Sequence, residues 1–411
     1  MTHEAWIIDA ARTPRGIGKP DKGALAGIHP QRLLSTVLKA LATRNSVHTV
    51  DIDDVVIGCN TQFGKQGLDL ARMAALDAGF DPLVPGVTLD RFCGSGMSAA
   101  ALAAMGVMSG TQRLVFAGGV ESMSHTQTLP RGSLLMDSGN LSLRRKFPQP
   151  HQGVCADLIA TLERIGRNEL DTLALESQRR AHMAILEGRF SRSLVPVLSD
   201  DGKIALERDE YPRPQTTAEA LAQLKPAFTA VLDKPLDDAG LTYGALLRQV
   251  YPNIRIEHVH TAGTSSGIVD GAAGVLIASA DYARAQGWKP RARIRAMTTV
   301  GGDPTLMLNA PVPAAKKALA LAGLTVRDID LFEVNEAFAV VPLKFMRDLD
   351  IDPAKVNVNG GAIALGHPIG ATGAILIGTL LDELERRDRS IGLATMCTAG
   401  GMAPAMIIER I

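Results

Sequence analysis

Asp90-Arg91-Phe92-Cys93-Gly94-Ser95-Gly96-Met97-Ser98-Ala99-Ala100-Ala101-Leu102 is the stretch whose reading decides the fold. Apolar Val87-Thr88-Leu89 precedes it, behind Pro85-Gly86, and the Ala-rich residues that follow have good helix propensity. The pattern is strand, tight glycine turn, helix, with one cysteine at the elbow. Such an elbow exposes a nucleophile and aims the first N–H groups of the helix at whatever is bonded to it. The positive helix end also lowers a thiol's pKa, and the thiolate is the reactive form. A small buried cysteine at a packed turn would use the same residues. The rest of the chain has to decide.

At 411 residues the chain has room for two or three lobes. A hydrophobic content of 46% with 40 glycines and 4% aromatic residues suits a tightly packed α/β enzyme. Lys+Arg and Asp+Glu both number 43, so the concentrated basic field of a nucleic-acid binder is missing. Cys59, Cys93, Cys155 and Cys397 form no C-x-x-C pair. That spacing argues against a metal site or a disulfide framework and for a reducing compartment. The first strand begins at Ala5, the chain ends Glu409-Arg410-Ile411, and no apolar run approaches membrane-spanning length. A cytoplasmic protein with no membrane partner is expected.

Residues 5–10, 53–58 and 114–122 read as strands, and 31–44 and 70–78 as helices. Alternation of this kind predicts parallel sheets with helices on both faces. The same order returns roughly 270–280 residues later, as in a duplicated half. Residues 293–297 open it, 313–322 are a helix and 328–334 a strand. Then 355–361 lead through Gly366-His367-Pro368-Ile369-Gly370-Ala371-Thr372-Gly373 into an apolar helix, and 391–397 are a strand. The repeat alone puts Cys93 and the Gly366-His367 turn on helix starts that face one another. Between the halves, 122–257 reads as an inserted subdomain, with a helix over 168–188 and a polar, proline-rich stretch over 196–215. Residues 259–267 read as strand and glycine turn, and 270–280 as a buried helix. The division expected is 1–121 with 258–290, then 122–257, then 291–411.

With these residues in place the chain resembles the thiolases, acyl-CoA C-acyltransferases of the acetyl-CoA acetyltransferase or 3-ketoacyl-CoA thiolase type. The likeness spans the whole chain. It rests on Arg91-Phe92-Cys93-Gly94-Ser95-Gly96, Asn335-Glu336-Ala337-Phe338, Gly366-His367-Pro368-Ile369-Gly370 and Cys397-x-x-Gly400-Gly401. Gly118 to Ser124 and Ala262 to Gly267 add to it. The resemblance implies duplicated halves layered α-β-α-β-α with an inserted loop subdomain. It implies Cys93 as acyl-accepting nucleophile, His367 as the near-neutral base that takes its proton, and Cys397 as the thiol that exchanges a proton with the α carbon. It implies Asn335 as the residue that fixes a water in one oxyanion hole. The Cys93 N–H, with one from the 397–401 turn, would form the other. CoA is then a substrate, no cofactor is tightly bound, and a homodimer or homotetramer is expected.

By the same resemblance Ser266 contacts the pantetheine arm, Arg213 packs near the adenine, and His151 and Gln152 fall in the stretch lining the acyl pocket. Each site residue has a plainer reading: His367 as a helix cap, Asn335 as a turn residue, Cys397 as strand-end packing, Arg213 as a solvated charge. Arg144-Arg145-Lys146 reads as a solvated face or an aid to phosphate binding. Three departures stand out. Ala399 and Ala403 occupy positions where relatives usually have glycine, and alanine tolerates positive φ poorly. Val269 stands where asparagine is commoner. Residues 229–256 are extra, and fit either a short added helix near the substrate mouth or an oligomer contact. Two rivals remain: a decarboxylating ketoacyl synthase, which would carry a second catalytic His or Asn in place of the Cys397 motif, and a non-catalytic acyl-CoA or lipid binder with a decayed site.

Overall fold

The computed structural model describes residues 4–129, 136–237 and 239–411. Among them twelve strands follow in chain order: β1 (Ala5–Arg12), β2 (Gly16–Ile17), β3 (Asp54–Gly58), β4 (Val87–Leu89), β5 (Leu114–Ser122), β6 (Val197–Leu198), β7 (Ile204–Leu206), β8 (Val269–Ser279), β9 (Ala292–Gly301), β10 (Leu331–Val334), β11 (Ile391–Thr395) and β12 (Met402–Arg410). Ten of them form one sheet, ordered β10-β11-β12-β9-β1-β8-β5-β3-β4 with β2 on β8, while β6 and β7 pair apart. The two halves occupy its two ends. They join where β1 meets β9 through two residue pairs, Trp6–Arg293 and Ile7–Ala292.

Strand alternation sorts the side chains into layers. Trp6 and Ile8 of β1, Leu114 and Phe116 of β5, and Leu276 of β8 pack with the helices Pro30–Arg44 and Leu70–Asp77. Ile7, Val115, Ala117, Val275 and Ile277 point the other way, onto the helices Ser95–Met108 and Thr372–Arg386. These two helices also meet Ile294, Ala394, Met406 and Ile408 of the second half. That half's outer face, with Leu393, Ala405 and Ile407, lies under the helices Pro311–Ala322 and Val340–Leu349. The layers therefore run α-β-α-β-α, with the Cys93 helix and its repeat counterpart at the centre.

The sheet is mixed, not parallel throughout. β3 is parallel to β4 and β5, and β10 to β11, as helical crossovers require. β12 folds straight back on β11 through a tight turn, which forces antiparallel pairing. β8 runs antiparallel to both β1 and β5. This strand occupies the stretch expected to be a helix over 270–280. All its residues are buried, so no one-sided pattern separates helix from strand. Residues 259–267 form a one-turn 3-10 helix, Ala262–Thr264, instead of a strand. Asp157 captures the N–H groups of Val259 and His260, which a ladder would need. In 355–359 the left-handed φ of 47° at Asn357 breaks extension, leaving Val356 one isolated bridge to Phe332.

The inserted segment carries the helices Gln152–Glu163 and Arg167–Leu186 and the β6–β7 hairpin. The extra residues include the helix Tyr243–Val250, started by Thr242 accepting from the Ala245 N–H. Cys155, Ala156, Ile159, Leu170 and Ala174 of the insertion share one core with Phe332, Phe338 and Phe345. Insertion and second half are thus packed as one body at that point. Positions 130–135 of the insertion, and 238 of its extra stretch, lie outside the described residues. Among those described, no helix is long and apolar enough to cross a membrane.

Candidate active site

Cys93 sits at the elbow between β4 and the helix Ser95–Met108. Phe92 just before it has a left-handed φ of 49°, which is uncommon for a bulky residue. Two hydrogen bonds hold it there: its N–H donates to Asp90 Oδ1 at 2.6 Å, and its carbonyl accepts from Ser95 Oγ at 2.6 Å. The helix start at Thr372 crosses this one at glycines. A Cβ on Gly373 would lie 2.1 Å from the Met97 nitrogen, and one on Gly96 2.6 Å from the Gly370 oxygen. The small residues of the two motifs therefore set how closely the turns approach.

Cys397 follows β11 and enters a turn whose left-handed residues are Gly400 and Gly401, at φ 74° and 77°. Ala399 and Ala403 avoid positive φ, so the two alanines fit without strain. A Cβ on Gly94 would lie 2.7 Å from Thr398 Cγ2, so the Cys93 and Cys397 turns touch. The backbone N–H groups of Ala399 and Cys93 favour the charged form of the Cys93 sulfur. A thiolate at Cys93 would oppose one at Cys397.

His367 is buried on the turn that leads into the helix Thr372–Arg386. Its Nδ1 lies 2.6 Å from Thr372 Oγ1, which donates its own proton to the Pro368 carbonyl at 3.0 Å. Thr372 must then accept from Nδ1–H, which leaves Nε2 as the free base of a neutral ring. Nε2 lies 3.4 Å from Asn335 Nδ2. Asn335 Oδ1 is buried with no protein partner.

Electrostatics alter two expectations. Burial pushes the Cys93 thiol up to about 12, and its two N–H donors offset only part of that. The thiol is therefore not lowered by its helix start, because loss of water outweighs the end of the helix dipole. His367 is pushed down to about 3, first by burial and then by the Arg15 cation, and so is not near neutral. Cys397 is raised by burial and by Cys93. At neutral pH the site holds two thiols and an uncharged imidazole.

The Ser266 N–H donates to the Ala337 carbonyl at 3.0 Å, and the His367 N–H to that of Gly267 at 2.9 Å. Ser266 thus lies beside both the Asn335 motif and the histidine turn. Arg213 lies over the Tyr211 ring at 5.5 Å, and that ring packs against Gly267. Arg213, Tyr211, Leu221, Ala262 and Gly263 line a cleft of about 230 Å³. His151 caps the helix Gln152–Glu163 by accepting from Gly153 N–H, and half-buried Gln152 opens that helix. The His151 ring is 5.7 Å from those of Phe228 and Tyr243, and Phe228 is 5.7 Å from Phe338. Arg144 is paired with Asp137 and Asp237 and is not free for phosphate. Sequence reasoning missed Thr372 and Arg15. Thr372 stood inside a quoted motif, but nothing in the chain marked it as the partner of His367 Nδ1.

The Cys93 and Cys397 turns in contact and an imidazole–amide pair are parts that an acyl-transfer site would use. The chain matches "Thiolase, N-terminal domain" over residues 5–231 and "Thiolase, C-terminal domain" over 288–410. It belongs to the thiolase family of acyltransferases. It is 40% identical over 412 residues to the 3-ketoacyl-CoA thiolase of Serratia proteamaculans (strain 568), covering 98% of this chain and 99% of the relative. To that of Bacillus subtilis (strain 168) it is 38% identical over 419 residues, covering 99% of each. Human mitochondrial 3-ketoacyl-CoA thiolase shares the fold at a TM-score of 0.85 and 34% identity, with 99% of each chain covered. The same human enzyme in complex with CoA gives 0.83 and 33%, over 100% of this chain and 98% of that one.

Proposed function

We propose that the chain is a 3-ketoacyl-CoA thiolase, cleaving its substrate with CoA to acetyl-CoA and a shortened acyl-CoA, or running the reverse condensation. The observation that carries this is the His367–Asn335 contact, on a turn whose helix crosses the Cys93 helix at Gly96 and Gly373. His367 Nε2 takes the Cys93 proton as the sulfur attacks the β-keto carbon, so no free thiolate has to persist in a dry site. The Cα–Cβ bond breaks, its electron pair moves to the acetyl-CoA enolate, and Cys397 protonates the α carbon. Asn335 and His367 serve the enolate oxygen, and the N–H groups of Cys93 and Ala399 serve the acyl-enzyme oxygen. The thiol of a second CoA gives its proton to Cys397 and takes the acyl group from Cys93, whose released sulfur takes its proton back from His367.

CoA is a substrate here, and the reaction calls for no tightly bound cofactor. Ser266 and Arg213 are proposed for the pantetheine arm and adenine, along the 230 Å³ cleft. His151 and Gln152 are proposed for the acyl pocket. We place the enzyme in fatty-acid β-oxidation in the cytoplasm, with 1–121 and 258–290 as one half, 122–257 as the CoA-binding insertion and 291–411 as the other half. Homo-oligomerisation is proposed through the edge strand β4 and the helix after it, where Val87 of the strand and Leu102 and Met105 of the helix are exposed. Thiolysis of a graded panel of 3-ketoacyl-CoAs with free CoA tests the function. Parallel double-reciprocal lines are expected, with no turnover in Cys397→Ser. Intersecting lines, or no thiolysis of any chain length, would refute it.

A further inference from the structure

Arg15 stands in the β1–β2 connection and is 4% exposed. A buried guanidinium needs partners for its five N–H groups. Asp209, the nearest carboxylate, is already taken. Arg12 holds its two oxygens at 2.8 and 2.9 Å, and the Arg15 backbone N–H adds a bond of 2.9 Å. The Arg15 guanidinium donates through Nη1 to the Gly366 carbonyl at 3.4 Å, and its Nε is buried with no partner. Gly366 is the residue before His367.

Arg15 also borders a small cavity of about 20 Å³ that it shares with Glu333, Asn335, Gly366 and Thr372. That volume holds one water. Arg15 Nε and Asn335 Oδ1 are both buried without a protein partner, and both residues line this cavity. Burial, then Glu336 and Glu383, push the Glu333 carboxyl up, against the pull of the Arg15 and Arg180 cations.

We propose that Arg15 is a positioning residue for the transfer reaction, bracing the Gly366–His367 turn through the Gly366 carbonyl and setting its cation in the cavity it shares with Asn335 and Thr372. The proposal rests on the reading of His367 as the base that takes the Cys93 proton. The titratable groups on elements packed around that turn are Cys93, Cys397, Glu121 on β5, Asp270 on β8 and Glu333 on β10. Among the described residues, Arg15 is the charge that bears on the ring. Its effect is to keep the free enzyme as thiol and neutral imidazole, and to oppose the thiolate–imidazolium pair until substrate arrives.

The test is the peptide-mapped rate of Cys93 alkylation by iodoacetamide at neutral pH, in the full-length enzyme without substrate. Arg15→Met and Arg15→Gln should each raise that rate about tenfold, the equivalent of one pH unit on the imidazole, and Arg15→Lys should return it to wild type. Gln keeps a donor for the Gly366 carbonyl, so the Gln–Lys comparison stands even where Met does not fold. Equal rates in Gln, Lys and wild type would overturn the proposal, as would a gain in Lys as large as in Gln, which marks simple loosening. His367→Asn separates the two readings. Wild-type turnover in that variant removes the base assignment itself, whereas a dead His367→Asn beside unchanged Arg15 variants removes only the role of the arginine.

Discussion

At the scale of single residues, the chemistry depends on which nitrogen of His367 is bare. Thr372 settles that by accepting Nδ1–H at 2.6 Å while its own proton goes to Pro368. Thr372→Val leaves Nδ1–H buried and unbonded, a cost of about 1–3 kcal/mol. We expect kcat to fall roughly 10- to 100-fold with KM nearly unchanged, and steady-state kinetics on acetoacetyl-CoA check it. A fall in CoA affinity alone would show that the threonine serves binding. The residue types of the site were legible in the sequence because thiol, imidazole and amide chemistry needs particular side chains. Their ionisation was not. Helix starts and local charges can be read from a chain, but the burial that raises Cys93 and lowers His367 comes from residues hundreds of positions away.

At the scale of elements, the strand–turn–helix at Cys93 and its late counterpart were legible because glycine and β-branched residues mark such turns wherever they fall. Strand β8 was not, since a run buried on both faces shows neither period. The place of Arg15 was equally hidden: nothing in Arg12-Thr13-Pro14-Arg15-Gly16 shows that Asp209, from the insertion, bonds both Arg12 and the Arg15 N–H. The two central helices make the sharpest structural prediction. Gly373→Ala puts a methyl where the Met97 nitrogen already lies, 2.1 Å away. A loss of about 1–3 kcal/mol is expected, read as a lower melting temperature by calorimetry. Unchanged stability would mean that the helices do not cross so closely.

At the scale of the whole molecule, the insertion is fastened to the first half by buried Arg12 and Asp209, whose side chains are 3% and 1% exposed. Burial alone would raise the Asp209 carboxyl, but the Arg12 and Arg15 cations outweigh it and hold it below its ordinary value. A carboxyl lowered on folding contributes stability above its unfolded pKa, and that stability is lost as pH falls through the folded value. Asp209→Asn should therefore cost about 3–5 kcal/mol at neutral pH, since it strands a buried cation. The deficit should shrink in acid, as chemical denaturation at several pH values would show. A deficit independent of pH would place the carboxyl outside the linkage.

Duplication, five layers and glycine crossings all act to bring residues from opposite ends of the chain to one sulfur. Mass spectrometry of peptides after mixing the enzyme with acetyl-CoA tests that claim most directly. One acetyl group on the Cys93 peptide is predicted, removed by free CoA and absent from Cys93→Ala. Acetylation confined to Cys397, or none on either cysteine, would contradict it.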